Sequence, residues 1–157
     1  MGKLTKIALM IALCVGAGVM AGVATQSGVN DWYPTIEKPS FNPQSWVFAP
    51  VWTILYILMG IAAGLVWHRH GRVEGARKAL IFFFIQLALN ILWSFLFFKL
   101  ENPFLALIEI ILLWLMIWET IVVFKRVSSR AANLMWPYLL WVSFATILNG
   151  SIWWLNR

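Results

Sequence analysis

Cysteine is almost missing from this chain of 157 residues: Cys14 stands alone. No intramolecular disulfide and no cysteine metal centre can form. Charge is scarce too, at 11% of residues, where soluble domains carry about 25%. There is no phosphate-binding loop, no GxSxG elbow and no nucleophile–base spacing. His68 and His70 flank Arg69, a spacing at which two side chains face apart on a helix, so no metal site is expected. These gaps exclude the common soluble-enzyme signatures and leave the apolar residues to carry the argument.

Those residues make up 62% of the chain and include 11 tryptophans. Ile7–Ala24, Trp46–Trp67, Ala79–Phe98 and Ala131–Asn156 carry no charge, and Pro103–Phe124 carries only Glu109 and Glu119. Each run is long enough to cross a hydrocarbon core at about 1.5 Å per residue. Backbone groups in lipid must be satisfied within the segment, so the runs read as helices. The expectation is an all-α membrane protein, a five-helix bundle in one domain over 1–157. Its predicted helices cover about 6–26, 46–67, 79–99, 103–125 and 131–155, with a loop over 27–45. The start also resembles a signal peptide, with Lys3 and Lys6 before an apolar stretch ending in Gly22-Val23-Ala24. The run is long for that role and is retained as the first span.

The net charge of +6 does not point to nucleic acid, because the charges alternate by loop. Lys3 and Lys6 precede the first span; Arg69, Arg72, Arg77 and Lys78 outweigh Glu74 after the second; Lys125, Arg126 and Arg130 precede the fifth. The first loop, with Asp31, Glu37 and Lys38, and the third turn, with Lys99 and Glu101, are not basic. Under the positive-inside rule the amino terminus is cytoplasmic and the carboxyl terminus outside. Gly18/Gly22 and Gly60/Gly64 form GxxxG steps, which let helices approach closely, either inside one chain or across a dimer face.

The first loop places Pro34, Pro39 and Pro43 among Trp32, Tyr33, Phe41 and Trp46. It reads as a stiff lid over a cavity mouth, or as an interfacial aromatic belt. Pro50 is placed in the first turn of the second span, with Pro103 and Pro137 near the starts of the fourth and fifth. Intramembrane polar groups are candidate functional groups. Gln86, Asn90, Trp93 and Phe97 share a helix face, as do Trp141, Ala145 and Asn149, and Trp52, Tyr56 and Gly60. The amides either hydrogen-bond a ligand or join helices. Glu109 and Glu119, ten residues apart, do not share a face; structural pairing rather than proton coupling is expected of them.

The loop and second span read Trp32-Tyr33, Glu37-Lys38-Pro39, Phe41, Pro43, Trp46, Pro50, Trp52, Leu55-Tyr56 and Met59-Gly60; the third span reads Gln86 to Asn90, Trp93 and Phe97-Phe98; and the fifth reads Pro137 to Trp141, Phe144 to Thr146 and Leu148-Asn149. Together these motifs resemble the TspO/MBR family of translocator proteins, tryptophan-rich sensory proteins and peripheral-type benzodiazepine receptors. The resemblance implies a five-helix bundle, often dimeric, that binds porphyrins, other tetrapyrroles and synthetic aromatic ligands in a pocket under the first loop. The implied pocket residues are Tyr33, Pro43, Trp52, Gln86, Asn90, Trp93, Trp141, Ala145 and Asn149. Trp52 and Trp141 resemble the indoles implicated in light-dependent porphyrin breakdown, so they are the catalytic residues if that reaction occurs.

Phe41 and Gln44 stand where the family pattern has tryptophan and proline, and Gly150-Ser151 stand where a tyrosine serves its sterol motif. Sterol binding is therefore expected to be weak and a tetrapyrrole is favoured. The expected role is sensing, regulating or transporting a tetrapyrrole in a bacterial cell membrane. Porphyrin degradation and sterol or lipid translocation are the alternatives. The tetrapyrrole is a ligand; no cofactor and no metal are called for.

Overall fold

The computed structural model describes residues 1–157. Its helices are α1 (Lys3–Ala24), α2 (Ser45–Arg69), α3 (Ala76–Ser94), α4 (Pro103–Val127) and α5 (Ser129–Leu155). A π-helical turn, Phe95–Lys99, continues α3, and there are no strands. All five helices are long and apolar enough to cross a membrane. The fold is an all-α membrane bundle.

The helix ends follow local chemistry. The Asn102 side chain accepts from the Leu105 N–H at 3.0 Å, and Pro103 follows it, so α4 starts with one donor capped and another not needed. Ser128 is extended between α4 and α5 and caps α5 by accepting from the Ala131 N–H at 3.4 Å. Pro50 and Pro137 depart from expectation: they lie inside α2 and α5, beyond the first turn. The helices begin at Ser45 and Ser129, earlier than those prolines suggest. Each proline lacks the N–H that the carbonyl one turn back would receive.

α1 packs on α2, α2 on α5, α5 on α4, α4 on α3, and α3 returns to α2 and α1. The α1–α2 contact is close because Gly60 and Gly64 lie against the α1 backbone at Ile11 and Ile7. A Cβ at Gly64 would sit 2.5 Å from the Ile7 Cα. That GxxxG step is therefore used inside the chain. Gly18 lies under the Tyr56 ring, while an added Cβ at Gly16 or Gly22 would meet nothing within 4 Å. The interior is filled by Met59, Val66, Phe83, Ile117, Phe124, Met135 and Val142, with Phe83 and Phe124 stacked at 6.0 Å between α3 and α4.

One end of the bundle is covered by the chain between α1 and α2. It makes a π-helical turn over Gly28–Trp32 and a 3-10 turn over Tyr33–Thr35. Gly28 lies on the backbone of Phe98, where a Cβ would collide with the carbonyl. Trp32 meets the Phe97 ring edge-on at 5.6 Å, Tyr33 meets Phe98 at 5.7 Å, and Phe41 meets Phe144 at 6.3 Å.

Candidate functional site

Two hydrogen bonds among three polar side chains join α2, α3 and α5 inside the bundle. The Tyr56 hydroxyl donates to Asn90 Oδ1 at 2.6 Å, and Asn90 Nδ2 donates to the Tyr138 hydroxyl at 2.9 Å. All three residues are buried. Trp52, one turn before Tyr56, lies 5.7 Å from its ring and 6.3 Å from that of Tyr138. Asn90 thus spends its carbonyl and one amide hydrogen on the protein. Gln86, one turn earlier on α3, donates only to a sulfur and leaves its carbonyl unused. Its Nε2 lies 3.8 Å from the Met59 sulfur and its Oε1 is buried without a partner.

Nearer the lid, Trp93 Nε1 donates to Asn149 Oδ1 at 3.0 Å, and Asn149 Nδ2 donates to the Pro103 carbonyl at 2.8 Å. This joins α3, α5 and the start of α4. Trp93 stacks on Phe97 at 5.2 Å, and Phe97 carries the lid rings of Trp32 and Tyr33. The π-helical turn begins at Phe95, two residues before Phe97; such turns recur at functional sites.

Trp141 occupies a third position. Its ring meets Phe48 of α2 at 6.1 Å and Phe144 at 5.5 Å, and Phe144 in turn meets Phe41 of the lid. The Trp141 Nε1 is buried with no acceptor. Ala145, one turn on, is buried, and its small side chain sits with Trp52, Trp93 and Trp141 around the main core.

The lid is held by polar contacts as well as rings. Tyr33 donates to Asn42 Oδ1 at 2.8 Å, and Asn42 Nδ2 donates to the Pro43 carbonyl at 3.1 Å, fixing two of the expected pocket residues to each other. Lys38 Nζ lies 4.9 Å from the Tyr33 ring centre. Burial raises the Tyr33 phenol above its ordinary value, and the Asn42 hydrogen bond opposes the shift.

The expected residues therefore fall into a Trp52–Asn90 group, a Trp93–Asn149–Tyr33 group and Trp141, with Ala145 in the core they share. Tyr138 and Asn156 are site residues that the sequence reading does not single out, while Phe97 enters it as a member of the shared α3 face. Tyr138 was within reach of sequence, since it lies seven residues before Ala145 on the same helix face. Glu109 corrects an expectation: it is not paired. It is 5% exposed, and neither carboxylate oxygen has a hydrogen-bond partner.

Two grooves lie on the outside of α5. One of about 240 Å³ is lined by Ile111, Trp114, Leu115, Ser143 and Thr146. The other, of about 510 Å³, is lined by Pro39, Ile147, Gly150, Ser151, Trp154 and Leu155.

Comparison with known proteins fits this architecture. Residues 10–155 match the TspO/MBR family. The tryptophan-rich protein TspO of Chlorobaculum tepidum is 42% identical over 154 residues, 98% of each chain. The tryptophan-rich sensory protein of Cereibacter sphaeroides is 36% identical over 142 residues, covering 90% of this chain and 87% of its own. The human translocator protein is 40% identical over 123 residues, 78% of this chain and 73% of its own. With five apolar helices and these relatives, the chain is an integral membrane protein that belongs to the TspO/MBR family.

Proposed function

We propose that this protein binds protoporphyrin-type tetrapyrroles, and other flat aromatic ligands, in the space under the lid between α2 and α5. The ligand is sensed or carried through the membrane. The observation that carries the reading is Trp141: a buried indole N–H without an acceptor, set among the rings of Phe48 and Phe144. A macrocycle can stack on these rings, and a carboxylate side arm can take the free N–H. Trp52 supplies a second ring, backed by Tyr56 and Tyr138. The unpaired Gln86 Oε1 is an acceptor for a ligand donor.

The test is a protoporphyrin titration followed by tryptophan fluorescence. The unmodified protein should be quenched saturably. Trp141→Ala should lose several-fold or more in affinity, in line with the roughly 0.5–1.5 kcal/mol that an aromatic contact adds beyond its area. Unchanged titrations for both Trp52 and Trp141 variants would remove these helices from the site.

A second reading draws on the same pair. Trp52 and Trp141 are oxidisable indoles, and a bound porphyrin is a photosensitiser, so porphyrin degradation under light and oxygen is the alternative. Stoichiometric product under illumination separates an enzyme from a binder, and flux into proteoliposomes identifies a transporter.

The setting proposed is a bacterial cell membrane with the amino terminus in the cytoplasm. Reporter fusions should then place Gly71 and Ser129 inside and Arg157 outside. The protein pairs as a homodimer in this membrane, which crosslinking there tests.

A further inference from the structure

Glu109 is the one carboxylate buried within this membrane bundle, and it has nothing to bind. Burying an unpaired carboxyl group is costly, so a structural explanation would need a partner that is not there. Its place in the fold is informative. On α4 it shares a face with Ala106 and Leu113, and its neighbour Ile110 is buried as well. Ala106 packs with Phe97 and Leu148, whereas Ile110 and Leu113 belong to the main core. Glu109 therefore lies where the lid-end cluster meets the core, and Trp93 packs against both.

Helix register fixes its level on α5. Asn149 bonds the Pro103 carbonyl, and Trp114 Nε1 donates to Ser143 Oγ at 2.7 Å. Counting from either bond along antiparallel helices puts Glu109 opposite the stretch between Ser143 and Leu148. The small side chain in that stretch is the buried Ala145. The carboxyl group thus sits at the depth of a residue expected to leave room for a ligand.

We propose that Glu109 is the polar anchor of the internal site, and that it favours a tetrapyrrole with outward-facing N–H groups. This deepens the reading that tetrapyrroles bind. A closed macrocycle turns its pyrrole N–H groups toward its own centre, where a side chain reaches them poorly. An open-chain tetrapyrrole presents N–H donors and lactam carbonyls at its edge. A carboxyl group serves it in either protonation state: the carboxylate accepts from N–H groups, and the acid also donates to a carbonyl. Gln86 Oε1, the other buried acceptor without a donor, extends the same preference along α3.

The experiment titrates purified full-length protein in detergent with biliverdin and with protoporphyrin, for the unmodified chain, Glu109→Gln and Glu109→Leu. Thermal unfolding without ligand is recorded for each. Glu109→Leu should weaken biliverdin at least tenfold and protoporphyrin less than about threefold. Glu109→Gln, which keeps an acceptor, should lie between. Both variants should unfold at or above the temperature of the unmodified protein, because the unpaired group is removed. A lower unfolding temperature for both, with equal losses for the two ligands, would make Glu109 a structural residue and overturn the proposal. Unchanged biliverdin binding by Glu109→Leu, with protoporphyrin binding still dependent on Trp141, would overturn the anchor alone. Failure of the unmodified protein to bind either ligand would overturn the tetrapyrrole reading and the anchor with it.

Discussion

Asn156 clamps Glu37 through its backbone. The Asn156 side chain accepts from the Glu37 N–H and donates to the Glu37 carbonyl, each at 2.9 Å, which ties the lid to the end of α5. The residues are 119 positions apart, so the pair closes the bundle's end as strand pairing would. Replacing Asn156 by Ala removes both bonds. Exposed bonds contribute at the low end of about 0.5–1.5 kcal/mol each, so the fold should survive while the lid opens more often. Hydrogen exchange over residues 36–44 should accelerate several-fold, with the core of α4 unchanged. Equal exchange in both proteins would show that the aromatic contacts alone hold the lid.

Asn90 should matter more than any other amide here. Asn90→Leu leaves the Tyr56 and Tyr138 hydroxyls buried without each other's bridge. An unsatisfied buried group costs about 1–3 kcal/mol, but interhelical hydrogen bonds in membranes average only about 0.6 kcal/mol in mutant cycles. The second figure applies to a single bond removed with relief, the first to groups left stranded. Asn90→Leu should therefore lose roughly 2–4 kcal/mol and Tyr56→Phe under about 1 kcal/mol. A double-mutant cycle in detergent unfolding measures both. Equal losses for the two single variants would mean that ring packing, not the bridge, sets the cost.

These two cases show where sequence reading stops. The five spans were legible because apolar runs are local. The shared face of Gln86, Asn90 and Trp93 was legible because helical spacing is local as well. The partners of Asn90 were not, since Tyr56 and Tyr138 lie 34 and 48 residues away. The same limit hid Glu109: that a group lacks a partner is a property of everything packed around it. Pro50 and Pro137 signal helix starts by local chemistry, yet both lie inside longer helices, because a membrane helix tolerates proline where neighbouring helices support it.

The glycines make a sharper contrast than their spacing suggests. Gly60→Leu and Gly64→Leu would drive a side chain into the α1 backbone at Ile11 and Ile7, so both should lower the yield of folded protein severely. Gly22→Leu and Gly16→Leu meet open space and should fold as the unmodified chain does. Size-exclusion profiles in mild detergent report both effects. Loss of folded protein with Gly22→Leu would show that this face is covered by a second copy.

The lid should respond to alkali. Burial holds the Tyr33 phenol above its usual value of 10.0, with the Asn42 bond partly offsetting this. A group that keeps its proton longer when folded stabilises the closed lid fully below its unfolded value. That contribution is lost as pH rises through the folded value. Protection of residues 36–44 should thus be flat up to about pH 10 and fall above it. Tyr33→Phe should abolish this step. A step that persists in Tyr33→Phe would assign it to another group.

Sterol recognition can be tested at one position. The proposed sterol motif requires a tyrosine where this chain has Gly150-Ser151, and such motifs carry weak predictive force. The site has room for the change: a Cβ at Gly150 would meet only the Leu107 side-chain end at 3.6 Å, an ordinary contact. Gly150 also lines the groove of about 510 Å³ with Pro39, Ile147 and Trp154, an apolar surface on which a fused ring system could lie. Trp154 is the groove's one aromatic ring, and the Arg157 guanidinium covers it, 3.2 Å from the ring centre. The unmodified protein should bind radiolabelled sterol weakly, and Gly150→Tyr should bind it several-fold more tightly without changing protoporphyrin affinity. Submicromolar binding by the unmodified protein would show that sterol recognition does not depend on that tyrosine, and the preference for a tetrapyrrole would lose one of its supports.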